Sequence, residues 1–328
     1  MQVYNTYTLE PGGKTLGQCD GSGALVSVTS IRSSRPLLLL IGAAGLIAAI
    51  GLVLVLTRGS GSETAGSAAA VAALPNTSDY HSLLVAPTAP DQLVLGTHQG
   101  LFRSTDGGRS WAQAELVNRD AMNLARASGK TVWAAGHGVL ARSSDGGSSW
   151  QDVQPRGLPP TLDVHGFDVD PGSGRLWAAV ANEGLYSSED GGESFDLVTK
   201  EVGAGVMGLE VLPGGRILAA DLQAKKLLSS DDSGKTWSTP LDRPVMTVAA
   251  APGNPKLLLA STVDSDTGIV RSADGGTSWD RVLVLPEGAG PIAWSESSPT
   301  IAYVVSLDRT LFRSADAGRT WLQVEEVS

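Results

Sequence analysis

A single cysteine, Cys19, stands in the 328-residue chain. One thiol makes no intrachain disulfide and no thiolate metal site, so neither a disulfide framework nor a cysteine-rich zinc module is available. Histidine and methionine are also scarce, with four of each, which makes their positions informative. Basic residues are outnumbered, 24 Lys and Arg against 34 Asp and Glu, for a formal net charge of −10. The first 58 residues carry four basic and two acidic side chains, so the remainder carries −12. A surface of that sign lacks the basic face that phosphate binding requires, and no nucleic-acid partner is expected. Forty glycines, by contrast, are abundant and fit a turn-rich all-β protein.

Charge is absent altogether from Leu37 to Leu56, twenty apolar residues in a row. That length spans a bilayer as a helix. Arg32 and Arg35 precede it, and after Arg58 no basic residue occurs until Arg103. The bias predicts a cytoplasmic amino terminus and an extracytoplasmic remainder at the cell membrane. A cleaved signal peptide is the competing expectation, since Ala-rich sequence follows, but the apolar core is long for one and lies behind a 36-residue tail. The expected organisation is a polar tail over 1–36, a transmembrane helix over 37–57, a small-residue linker over 58–78 and a repetitive domain over 79–328.

The repetition is explicit. STDGGRSW, SSDGGSSW, SEDGGESF, SDDSGKTW, SADGGTSW and SADAGRTW place Asp106, Asp145, Asp190, Asp232, Asp274 and Asp316 at intervals of 39, 45, 42, 42 and 42 residues. A period near forty, filled with short strand-like runs, predicts a six-bladed β-propeller with four antiparallel strands per blade. Each phrase is expected to be a tight turn between the third and fourth strands. Its aspartate accepts local N–H groups, its glycines supply positive φ, and its aromatic residue packs into the blade. Six copies at one turn position are read as structural. Arg103, Arg142, Arg271 and Arg313, directly ahead of four copies, are expected to be surface side chains. With no shared closing strand evident, blade six is expected to close on blade one by packing.

These phrases resemble the Asp-box, or BNR repeat, of sialidases, related glycosyl hydrolases, sortilin-type receptors and a photosystem II assembly factor. The resemblance covers about 250 residues and implies the propeller fold, with glycan recognition or hydrolysis, or a protein-assembly role, as the associated functions. The sialidase machinery itself is not matched. No early Phe-Arg-Ile-Pro is present, and Tyr186 and Tyr303 fall within blade strands, leaving Tyr80 as the one tyrosine near the candidate rim.

Used as a ruler, the repeats assign the remaining residues to rims. The repeated turn shares its rim with the link between strands one and two. His98 and His137 each lie eight residues before their turn aspartate, where blade three has Asn182, and this places them on the opposite rim. His81 and His165 lie 25 residues before theirs, at the start of the innermost strand, and Met122, Met207 and Met246 hold the matching places in blades two, four and five. Asp79, Asp120 and Asp163 stand two residues ahead of His81, Met122 and His165. Chemically capable side chains therefore gather on one rim of blades one to three. Two chemistries fit. Paired carboxylates among Asp79, Asp120 and Asp163 would serve glycoside hydrolysis. Alternatively, His81, His98, His137 and His165 would hold a metal ion, the only cofactor the residues suggest. The expected ligand set on this rim is the four histidines with Asn182 and the three methionines. The expected partners are the membrane and a glycan, cell-envelope component or protein. A protein-binding platform is the non-enzymatic alternative.

Overall fold

The computed structural model describes residues 74–77, 79–203, 205–264 and 267–325. The expected tail, the expected membrane helix and most of the expected linker lie outside the described residues. Among the described residues no helix is long and apolar enough to cross a membrane.

Among the described residues, twenty-four strands form six four-stranded antiparallel sheets, each built from consecutive strands. The innermost strands are Ser82–Ala86, Asn123–Arg126, Val164–Val169, Val206–Val211, Val245–Ala251 and Ala289–Trp294. The six blades are those the forty-residue period predicts. The second strands of blades two, three and four read VWAAG, LWAAV and ILAAD and are buried throughout. A strand covered by neighbouring blades on both faces loses the apolar/polar alternation of a half-exposed strand, and alanine keeps the sheets close.

Closure is by packing. Tyr80, Leu83, Val85, Leu93 and Leu95 of blade one share a core cluster with Ala293, Tyr303, Val305 and Leu311 of blade six. The hydroxyl of the fully buried Tyr303 lies 3.1 Å from the Pro90 carbonyl and 3.2 Å from Asp91 Oδ1, and it accepts from Arg313 Nε at 3.2 Å. Leu74 to Thr77, expected as linker, instead fasten onto this seam. Leu74 packs on the cluster, Tyr80 donates to the Pro75 carbonyl at 2.6 Å, and Arg309 bonds Asn76 and the Thr77 carbonyl.

The repeated turn behaves as its composition requires. In blade five, Asp274 Oδ1 accepts from Ser272 Oγ at 2.8 Å and from the Ser278 N–H at 2.9 Å, while Oδ2 accepts from Ser278 Oγ at 2.6 Å. The Trp279 indole donates to the Gly276 carbonyl at 3.1 Å. Gly275 and Gly276 take φ of 77° and 94°, conformations that a side chain would strain. Asp232, Asp274 and Asp316 are held down at about 2, chiefly by side-chain hydrogen bonds from Thr236, Ser278 and Thr320. The Gly275 N–H bonds the Lys256 carbonyl at 2.9 Å, which puts the turn on the same rim as the link between strands one and two.

The arginines ahead of the turns are not merely surface side chains. Arg103 donates to the Gly147 carbonyl in the turn of the next blade, and Arg271 Nε donates to the Ala317 carbonyl at 2.9 Å. Arg142 and Arg313 lie 5.9 Å from the Trp133 and Tyr303 ring centres. These contacts tie blade to blade and strand to strand.

Candidate functional site

Two glycines open the rim opposite the repeated turns. A Cβ on Gly96 would sit 2.4 Å from the Ala121 carbonyl oxygen, and one on Gly136 would sit 2.2 Å from the Asp120 carbonyl oxygen. Because both lack a side chain, the backbone of blade two rides against the second strand of blade one and against its own. The Ala121 N–H then bonds the Thr97 carbonyl at 3.1 Å, just before His98. One blade further, Asp163 pairs with His137 as an isolated antiparallel bridge, and the Ala181 N–H bonds the Asp163 carbonyl at 2.9 Å. At the near end, the His81 N–H bonds the Gly96 carbonyl at 3.0 Å.

This backbone arrangement lines up seven side chains as an alternating arc. Asp79 touches His81 Nε2 at 3.2 Å through Oδ1 and His98 Nε2 at 3.1 Å through Oδ2. Asp120 Oδ2 lies 2.7 Å from His98 Nδ1 and 2.5 Å from His137 Nδ1. Asp163 Oδ1 lies 2.8 Å from His137 Nε2 and 2.9 Å from His165 Nε2. The end imidazoles meet edge-on, with Nε2 to Nε2 distances of 3.0 Å for His81 and His98 and 3.1 Å for His137 and His165. The central rings, His98 and His137, are stacked 15° from parallel.

The electrostatics follow from these contacts. Burial pushes the Asp120 carboxyl up, but the His137 and His98 imidazoles outweigh it and hold it below the usual carboxylate range. The Asp120 carboxylate against His137, helped by Asp163 and Asp79, raises that imidazole in spite of burial. Burial lowers His165, which favours the neutral, ligating form of the ring. Despite the close contacts, neither oxygen of Asp120 nor Oδ1 of Asp163 receives a hydrogen bond of normal geometry, although all three are buried. Buried carboxylate oxygens without aligned donors are costly unless a cation satisfies them.

The remaining residues expected on this rim sit apart from the arc. Met122 is buried, and with Met207 and His81 it lines an axial cavity of about 400 Å³. Met246 is half-buried, with its carbonyl against Gly208. Asn182 is exposed with φ of 60°, the left-handed turn conformation that asparagine tolerates.

Rim assignment did not anticipate the carboxylates inside the channel. Asp168 accepts the Val211 N–H at 2.6 Å, and Glu210 accepts the Ala250 N–H at 3.1 Å, each reaching the inner strand of the next blade. Burial pushes both up, and Asp168 further raises Glu210. Arg126 faces the same cavity and pairs with Glu296 at 3.3 Å. The available signal was periodic: Asp168 and Glu210 each stand three residues before a proline, Pro171 and Pro213, on inner strands.

No family model matches the sequence, and no curated protein matches it. Solved propeller structures do. YCF48 bound to D1 peptide superposes with a TM-score of 0.51 at 17% identity, over 78% of this chain and 84% of that one. YCF48 from Cyanidioschyzon merolae gives 0.52 at 17% identity, over 80% and 91%. The Niastella koreensis GH74 enzyme gives 0.51 at 17% identity, over 74% of this chain but only 46% of its own length. The chain thus spans less than half of that enzyme. Likeness at this level of identity establishes a shared propeller architecture.

Proposed function

We propose that the propeller is a metal-binding domain whose imidazole–carboxylate arc holds divalent transition-metal ions. One observation carries this reading. Three overlapping trios, Asp79/His81/His98, His98/Asp120/His137 and His137/Asp163/His165, each bring their ligand atoms within 4.8 Å of one another. Two ligands about 2.0–2.1 Å from a common tetrahedral ion stand roughly 3.3 Å apart. The contacts at the two ends of the arc, 2.8 to 3.2 Å, lie close to that spacing. The donors are nitrogen and oxygen, a set that suits zinc, nickel, copper(II) or iron(II) better than copper(I). The buried Asp163 Oδ1, which has no aligned donor, supplies charge such an ion would neutralise.

The sequence supports placing this domain outside the cell membrane, carried by Leu37–Leu56. Glycan or cell-envelope recognition, with hydrolysis by Asp79, Asp120 or Asp163, has the GH74 likeness of fold in its favour. Each of these carboxylates, however, is engaged by imidazoles, which suits ligation better than an unencumbered acid–base pair. A protein-binding platform has in its favour a similar propeller, YCF48, whose structure contains a D1 peptide.

The test is metal content. The full chain, purified in detergent and stripped with chelator, is dialysed against zinc and analysed for bound metal. At least one tightly held ion per chain is expected, and it is lost in the His98→Ala/His137→Ala double variant. Substoichiometric zinc in the wild type, or retention of zinc in the double variant, overturns the reading.

A further inference from the structure

The three trios are not equivalent. The rim is built from one three-residue unit used in three successive blades, Asp79-Tyr80-His81, Asp120-Ala121-Met122 and Asp163-Val164-His165. Only the outer two units end in histidine. Each end of the arc therefore has two imidazoles presenting Nε2 beside a carboxylate, whereas the middle unit offers a buried methionine where the others offer a ring.

Exposure separates the trios in the same way. The Asp79 and Asp163 side chains are 39% and 36% exposed, while Asp120 is 10% exposed. Distances separate them again. A single oxygen, Asp120 Oδ2, takes Nδ1 of His98 at 2.7 Å and Nδ1 of His137 at 2.5 Å. Those separations are well short of the roughly 3.3 Å spacing of two ligands around one tetrahedral ion.

We infer that the arc holds two ions, one at each end, and that Asp120 is a positioning residue shared by both rather than a ligand. The inference rests on the metal-binding reading above. In it, His81 Nε2, His98 Nε2 and Asp79 bind one ion, and His165 Nε2, His137 Nε2 and Asp163 bind the other. Asp120 Oδ2 sits against Nδ1 of both central rings, so it orients both and leaves their Nε2 atoms for the ends. A carboxylate behind a metal-bound imidazole sets ring orientation and raises ligand basicity, and its loss weakens metal binding about 10–100-fold. Here one carboxylate serves two rings, so a single substitution weakens both stations in parallel. Each station is a two-histidine, one-carboxylate set, which leaves coordination positions for water or an exogenous ligand.

Calorimetric titration of the chelator-stripped full chain with zinc, together with cobalt(II) absorption spectra, tests this directly. The wild type is expected to bind two ions. His81→Ala and His165→Ala each bind one, with the other station's affinity unchanged. Asp120→Asn still binds two at saturation, but both affinities fall about 10–100-fold and the cobalt bands of both stations move. A merely structural role for Asp120 would lower the melting temperature without moving the bands at saturation, and that result overturns its assignment. One ion or three ions per wild-type chain overturns the two-station arrangement while leaving metal binding intact. Loss of a single ion in Asp120→Asn would make Asp120 a ligand and also overturns it. Should Asp120→Asn fail to fold, the end variants decide: loss of both ions from either one refutes independent stations. No bound ion in the wild type refutes the metal-binding reading itself.

Discussion

The two rims of this propeller use aspartate in opposite ways. On the rim of repeated turns, each aspartate is surrounded by short local donors: Asp106, for example, accepts from Ser104 Oγ, the Ser110 N–H and Ser110 Oγ. On the other rim, Asp79, Asp120 and Asp163 each meet an imidazole from a different turn or blade, and three of their buried oxygens lack aligned donors. The first arrangement is complete within eight residues, so it can recur six times. The second exists once, because it needs three consecutive blades whose units differ. Repetition marks what holds the fold; departure from repetition marks what the fold holds.

The largest expected effect comes from pushing the second rim apart. Gly136→Ala places a methyl 2.2 Å from the Asp120 carbonyl oxygen. Overpacking of this kind costs about 1–3 kcal/mol, and the displaced Asp120 should also weaken zinc binding. Chemical denaturation and zinc titration of the same variant measure the two losses together. An intermediate effect is expected on the first rim. Asp106→Ala removes three local hydrogen bonds and should cost about 1–2 kcal/mol while leaving zinc affinity unchanged. A change in zinc affinity there would erase the contrast between the rims.

The smallest effect belongs to the channel between them. Burial raises Asp168 and Glu210, so the folded protein holds protons that the unfolded chain releases above pH ~4. The folded state binding more protons means stability falls as pH rises from there toward the raised folded values. Asp168→Asn removes that penalty. The variant's melting temperature relative to wild type should therefore be higher at pH 8 than at pH 4.5. An offset independent of pH would show that the Asp168 carboxyl is not raised.

The blades were legible in the sequence because the turn chemistry is local: Ser, Asp, Gly and an aromatic at fixed offsets suffice. The alignment also placed all four histidines on one rim. It did not show that Asp120 would stand between His98 and His137, because that depends on how closely blades approach across Gly96 and Gly136. The links from Arg103 and Arg271 to the following turns were hidden for the same reason, since a side chain's reach across blades leaves no period in its own strand. Asp168 and Glu210 did leave a trace before Pro171 and Pro213, but only the channel geometry shows that they are buried near each other.

The most direct measurement is the zinc dependence of the melting temperature, taken on the wild type and on the His81→Ala/His165→Ala variant. At 100 times the dissociation constant, each ion bound only by the folded state adds about 2.7 kcal/mol, so two stations should raise the wild-type melting temperature by about 10–20 °C. The variant should show little of that rise. An equal shift in both proteins, or none in the wild type, would contradict a metal-binding rim.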